Sequence, residues 1–320
     1  MPSASVVIPT YRRRDDAVRV VQMLAKQTIP SSEYEVVVVV NGPDDGTRDA
    51  LAAIEVPFAL RVLHRETPGL AAARNAGVAD ARGDVVIILD DDMEPAAGFV
   101  AAHVAAHADG EPKAVMGPVP IAMSDATSAP SAYVGAKFDR HLAWLARNGG
   151  PATARDFYGG NLSLPRDVFV RIAGFDERFT QYGNEDVELS LRLASAGVPI
   201  VYEPSAVAMQ RYDKDFAALA ADTLAKGRTA VQLERLHPEA RAQLKLGAWR
   251  EQPFLRRLFV GVLLAATRAV PAVRGAVARG MSVLGEHRRA LALRLYPPVL
   301  DYFYWCGVRE AQRDIEGGAP

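Results

Sequence analysis

The sequence predicts an α/β chain with a mostly parallel central sheet and a helical C-terminal extension, and three features carry that reading. Short β-branched runs alternate with helix-period segments over the first third, which is how a parallel sheet wound with helices is written. One run is five consecutive valines at 36–40, the pattern of a strand covered on both faces. Beyond Asp213 the strand signals stop, and the chain is rich in Ala, Leu and Arg at helical spacing.

In chain order, residues 5–9 form a first strand and 15–26 a helix with Val18, Val21, Leu24 and Ala25 on its buried face. A strand at 35–40, a helix at 47–53, a strand at 60–63, a helix at 70–79 and a strand at 85–89 follow. That last strand runs into Asp90, Asp91 and Asp92, and a helix is expected to begin near Pro95. From Met116 the regularity breaks, and Pro118, Pro120, Pro130 and the stretch 124–131 read as loops. Shorter elements come next: a strand at 161–164, helices at 166–173 and 185–196, and a strand at 200–203. The organisation is then 1–118, 119–213 and a basic helical extension, 214–320.

The 320 residues carry a net charge of −1 and are 49% hydrophobic, which describes a globular protein and not a general nucleic-acid binder. The balance hides an asymmetry: residues 241–294 hold eleven Lys or Arg against Glu251 and Glu286, a local charge of +9. Cys306 is the single cysteine, so a disulfide framework and a thiolate metal cluster are both excluded. The N-terminus lacks the basic and apolar regions of a secretion signal, and no apolar run reaches the ~20 residues of a spanning helix; a cytoplasmic location is expected.

Open α/β sheets bind ligands beyond the carboxyl ends of their strands, and here those ends are polar. The first strand leads into Pro9, Thr10, Tyr11, Arg12 and Arg13, the second into Asn41, Gly42, Pro43, Asp44 and Asp45. The Gly-x-Gly-x-x-Gly of dehydrogenases and the Gly-Lys-Thr of phosphate-loop ATPases are absent from the first of these turns. Three successive aspartates after a buried strand repel one another and are relieved by a hard divalent cation. In extended chain Asp90 and Asp92 would point one way and Asp91 the other. A solvated turn with one Asp capping the next helix is the alternative. Glu185 and Asp186, after Asn184 as a helix cap, form a second acidic pair, read either as a general base or as ordinary first-turn acids. Gly69 and the small residues after it allow close backbone approach, and Arg74 among them either binds phosphate or a base edge, or is a surface arginine on a tightly packed helix.

Together these motifs resemble family 2 of the inverting glycosyltransferases, with its GT-A nucleotide-sugar-binding fold, over roughly residues 5–209. The likeness rests on Val6-Val7-Ile8-Pro9-Thr10-Tyr11, residues 35–46, Gly69 to Gly77, the three aspartates, Gly159-Gly160-Asn161-Leu162-Ser163, Gly174-Phe175-Asp176-Glu177 and Asn184-Glu185-Asp186. The resemblance implies that 1–118 is the nucleotide-sugar-binding half and 119–213 the acceptor-binding and catalytic-base half. It implies Asp90 and Asp92 as the DxD ligands of Mg2+ or Mn2+. It places Pro9, Thr10, Tyr11, Arg13, Asn41, Gly69, Arg74 and Asp91 at the nucleotide sugar, Gly160 and Asn161 at the acceptor, and Asp186 with Glu185 at the catalytic base.

The implied reaction is a metal-assisted single displacement from a nucleotide diphosphate-sugar to a hydroxyl on a sugar, lipid-linked or small-molecule acceptor, in cell-surface glycan or glycoconjugate synthesis. Two positions depart from the family pattern: Asn41 stands where many relatives have an acid, and Gln210 or Arg211 where many have a metal-contacting histidine. The Gln-x-x-Arg-Trp element of processive synthases is absent, which favours single transfer. A sugar-nucleotide nucleotidyltransferase and a non-catalytic sugar-nucleotide sensor are the competing readings. The basic extension reads either as a peripheral contact with the anionic inner face of a membrane or as a lobe that packs its apolar face inward.

Overall fold

The computed structural model describes residues 2–123, 127–151, 153–249 and 251–317. Part of the expected loop at 124–131, residues 124–126, lies outside them. The strands are β1 (Ala4–Thr10), β2 (Tyr34–Asn41), β3 (Ala59–Arg65), β4 (Val85–Leu89), β5 (Met93–Pro95), β6 (Ala114–Met116), β7 (Asn161–Pro165), β8 (Ile200–Tyr202) and β9 (Ala208–Gln210). The helices of the sheet region are α1 (Arg14–Leu24), α2 (Thr47–Ala52), α3 (Leu70–Asp80), α4 (Phe99–Ala106), α5 (Ala129–Asn148), α6 (Arg166–Arg171) and α7 (Glu185–Ser195). Those of the C-terminal region are α8 (Phe216–Leu236), α9 (Phe254–Ala269), α10 (Ala272–His287) and α11 (Arg289–Glu316).

Two compact units divide the chain. The first comprises Met1–Ala122, Phe138–Thr180 and Glu185–Arg211. It holds a seven-stranded sheet in the order β3-β2-β1-β4-β7-β6-β8. The first four strands are parallel, β7 runs antiparallel to β4 and β6, and β8 is parallel to β6. Both faces of β2 are buried, as its valines require: Val37 and Val39 enter one core cluster, Val36 and Val38 the other. The helix α3 lies directly on β1, because a side chain at Gly77 would overlap Val7.

The second unit comprises Met123–Lys137, Gln181–Asn184 and Tyr212–Pro320. Its own core is built from Phe216, Val260, Leu264, Tyr296 and Tyr302. Residues 123–137 and 181–184, read from the sequence as part of the second half, cluster with these helices. No helix among the described residues is long and apolar enough to cross a membrane.

Three local expectations are corrected. The loop expected through Ser131 gives way at Ala129 to the 20-residue α5; Pro130 stands in its first turn, where a missing N–H costs no helical bond. The helix expected near Pro95 starts at Phe99, because residues 93–95 pair with Ala208–Gln210 as an antiparallel ribbon. Asn184 does not take the extended backbone of a helix cap: its φ is +66°, and its amide nitrogen donates to Lys226 O (3.0 Å) and Thr229 Oγ1 (2.8 Å).

Candidate active site

The chain leaves the buried β4 at Leu89 and turns at once, so the three aspartates diverge and do not alternate as in extended chain. Asp90 meets Arg74, whose Nη2 donates to Oδ1 at 2.8 Å. Asp91 is buried and accepts from Arg13 Nη1 at 3.0 Å. Asp92 shares that same guanidinium at 3.3 Å and also accepts from Gln210 Nε2 at 3.2 Å. Asp91 and Asp92 therefore share Arg13, while Asp90 meets Arg74.

Burial pushes the Asp91 carboxyl up to about 7, against the pull of Arg13 and the neighbouring Thr10 hydroxyl. Asp92 is raised for the same reason, with Asp90 adding repulsion and Arg13 and Gln210 opposing it. Burial works against the charge of Arg13, yet the two carboxylates outweigh it and hold the guanidinium firmly protonated. Asp92 Oδ1 is buried with no hydrogen-bond partner. Among the described residues no group of three His, Cys, Asp or Glu side chains is arranged to hold a metal ion.

Arg74 sits on the small-residue face of α3 at 2% exposure. Its Nη1 reaches Glu185 Oε1 at 3.3 Å, and its guanidinium lies 4.9 Å from the Phe175 ring centroid. Both forks are thus engaged by carboxylates from different elements, which is what keeps a buried cation tolerable. Arg74 thereby ties the end of β4 to the start of α7.

Glu185 and Asp186 open α7. Burial and the adjacent Asp186 push Glu185 up to about 6, with Arg74 pulling the other way. Asp186 is half-buried, and its Oδ1 accepts from Val187 N at 2.8 Å.

Two glycines let these groups converge. A Cβ at Gly160 would stand 2.6 Å from Asp90 Oδ2, and one at Gly159 would stand 3.4 Å from both Arg74 Nη1 and Asp186 Cβ. Next to them Asn161 is fully buried. Its amide nitrogen donates to Pro118 O (3.1 Å) and Ala206 O (2.8 Å), and its Oδ1 meets His103 Nε2 (2.8 Å). That corrects its assignment to the acceptor: every polar atom of the side chain is used inside the fold.

Sequence reading missed the histidines behind it. His103 Nδ1 (2.8 Å) and His107 Nε2 (2.9 Å) both meet Ser163 Oγ, and burial lowers both rings to about 4. Their spacing of four, one helical turn, was the available signal.

A third group gathers at the carboxyl ends of β1 to β3. Asn41 Oδ1 accepts from Gly69 N at 2.9 Å, which fixes the entry to α3. Gly42, at φ +106°, lies against the Tyr11 ring and Pro68, and a side chain there would stand 2.7 Å from Tyr11 Cε2. Pro9 and Thr10 are buried in β1, while Tyr11 is 44% exposed with the Arg12 guanidinium 5.4 Å from its centroid. The sheet therefore presents one polar edge: Tyr11, Asn41 and Gly69 at one end of it, Arg13 with the aspartates in the middle, Arg74 with Glu185, Asp186 and Gly160 at the other.

The model for glycosyl transferase family 2 matches residues 5–169, just over half of the chain, and that for the N-terminal domain of galactosyltransferase matches residues 140–217. Validoxylamine A glucosyltransferase of Streptomyces hygroscopicus subsp. jinggangensis is 32% identical over 234 residues, 62% of this chain and 53% of that protein. The chain spans about half the length of the curated relatives it first matches. Among solved structures, a mannosyltransferase from Pyrobaculum calidifontis in complex with GDP-Man and Mn2+ superposes with a TM-score of 0.61 at 21% identity, over 98% of this chain and 88% of that one. S. aureus TarS 1–349 superposes with a TM-score of 0.53 at 18% identity, over 98% and 92%. At such identities these two likenesses are of fold. With its polar sheet edge in place and the family model spanning the strands that build it, the chain belongs to glycosyl transferase family 2.

Proposed function

We propose that the chain transfers a single glycosyl unit, with inversion, from a nucleoside diphosphate sugar to an acceptor hydroxyl in glycan or glycoconjugate synthesis. The observation that carries this reading is the convergence of Asp90 and the Glu185–Asp186 pair on one buried arginine over a two-glycine floor. Relatives support the donor class: the mannosyltransferase was solved with GDP-Man, and TarS with UDP-GlcNAc.

Asp92, with a buried oxygen lacking any partner, and Asp90 would hold a hard divalent cation such as Mg2+ or Mn2+. When bound, that ion supplies charge neutralisation to the departing diphosphate. Arg13 holds Asp91 and Asp92 in place, and Tyr11, Asn41 and Gly69 frame the nucleotide end. Asp186 takes the acceptor hydroxyl proton as that oxygen bonds to the anomeric carbon. The bond from that carbon to the phosphate oxygen breaks on the opposite face, and its electron pair leaves with the nucleoside diphosphate. Arg74 keeps Glu185 beside the base and Asp90 at the donor.

The test uses donors screened by mass spectrometry across UDP-, GDP- and dTDP-sugars, followed by Asp186→Asn. Donor affinity should stay within about twofold while transfer falls by ~10²–10⁴. Full transfer by the Asn variant would move the base elsewhere.

A further inference from the structure

The helix α9 is apolar on two faces. One faces the core of the second unit, where Val260 and Leu264 are buried among Phe216, Tyr296 and Tyr302. The other faces outward: Phe254 is 68% exposed, Leu255 75%, Leu258 51%, Phe259 39% and Val262 59%. At 100° per residue these five form one continuous stripe along the first half of the helix, and Ala265 and Ala269 extend it as exposed small residues. The core does not need this second face, and five large apolar side chains over nine residues exceed the scattered exposure normal to a surface.

The segment that carries it is cationic. Residues 254–294 carry eight arginines against a single acid, Glu286. Arg256 and Arg274 are bound inward to Asp301 and Glu310, whereas Arg268, Arg279, Arg288, Arg289 and Arg294 are exposed. A second copy of the chain is a poor occupant, since a two-fold contact would bring two such patches together. An anionic lipid surface satisfies both features, burying the stripe among acyl chains and neutralising the arginines. With 16 residues, α9 is about 24 Å long, short of the hydrocarbon core, so it lies in the plane of the interface.

We propose that the outer face of α9 docks this protein on an anionic lipid bilayer, with Phe254, Leu255, Leu258, Phe259 and Val262 embedded and the neighbouring arginines at the headgroups. Trp249 and Val260 are not part of this surface, because Trp249 stacks edge-on against Trp305 and Val260 is buried. The proposal stands apart from the transfer reaction and is read without any activity.

The full chain is sedimented with vesicles of phosphatidylcholine alone and with vesicles containing about one-third phosphatidylglycerol. Binding is expected to the anionic vesicles, at least about tenfold weaker to the neutral ones, and reduced by salt. Leu255→Gln with Leu258→Gln changes only exposed positions, so circular dichroism stays unchanged while anionic-vesicle binding drops by about tenfold or more. A Phe254→Trp variant reports insertion as a blue-shifted emission with anionic vesicles, read as the difference from the parent chain, whose Trp144, Trp249 and Trp305 supply the background. Equal binding by the double variant, indifference to phosphatidylglycerol, or an unshifted emission from the Phe254→Trp variant would each overturn the proposal. So would a concentration-dependent dimer, lost in the double variant, with no vesicle binding by the parent chain.

Discussion

Gly160 has no side chain because Asp90 occupies the space, and the consequence is measurable. A methyl group 2.6 Å from Asp90 Oδ2 and 3.1 Å from Met93 Cε displaces the carboxylate, which is partly exposed and held through its other oxygen by Arg74, more readily than it disrupts the sheet. Gly160→Ala should therefore keep its melting temperature while kcat/KM falls by ~10²-fold, the cost of about 1 Å of misplacement in a catalytic group. An unchanged kcat/KM would detach Asp90 from the reaction. In the same vein, Asp92→Ala should remove the metal-supported part of donor binding in a titration with Mn2+, and a Kd equal to that of the parent chain would exclude Asp92 as a ligand. At this scale the sequence was readable for position, as for Asp90 and Asp92 just beyond β4 and Asp186 in the first turn of α7. It was unreadable where a role depends on which distant group arrives opposite. Nothing near Arg74 in the sequence announces Glu185, 111 residues away, which meets its second fork. Asn161 looks like an acceptor contact until Pro118, Ala206 and His103 consume its polar atoms.

At the scale of elements, the long regular units β1 to β4 and α1 to α3 are written in their own periodicity, and the structure follows them within a residue or two. The three-residue strands β5, β6 and β9 carry too few side chains to show a period, and their partners are remote in sequence. Yet the β5–β9 ribbon is what delivers Gln210 to Asp92. Packing between α4 and β7 supplies a prediction about acid. His103 and His107 are neutral in the fold, with burial lowering both from 6.5 to about 4. The unfolded chain binds their protons first, so their contribution to stability is complete above pH 6.5 and is lost as pH falls toward 4. The raised Asp91 and Glu185 act in the opposite sense, gaining stability as pH falls, which is why the difference between two proteins is the useful quantity. His107→Gln keeps a polar group for Ser163 and does not titrate. Urea denaturation should show the parent losing ground to this variant between pH 6.5 and 4, and parallel pH profiles would remove His107 from the acid response.

At the scale of the molecule, each unit has its own core, and the candidate site lies in one of them. Asp90, Asp91, Asp92, Arg13, Arg74, Glu185 and Asp186 all belong to the first unit, whereas the aromatic core around Tyr296 and Tyr302 belongs to the second. The second unit depends on one close crossing. Gly227 of α8 lies on the Tyr304 carbonyl of α11, and Gly307 of α11 lies on the Leu224 carbonyl of α8. Any Cβ at either glycine overlaps backbone, which cannot rotate away, so the helices must separate and lose contact along their length. Gly307→Ala should destabilise the helical unit by about 1–3 kcal/mol, the usual cost of overpacking. Differential scanning calorimetry should then show the melting of that unit lowered by several degrees. Donor and Mn2+ affinities, which the proposed function assigns to residues of the sheet unit alone, should match the parent at about 20 °C below that melting. A donor Kd that weakens in step with the lost helical stability would instead mean that the α8–α11 pair helps build the nucleotide-sugar site, and the division of labour drawn from the two cores would fall.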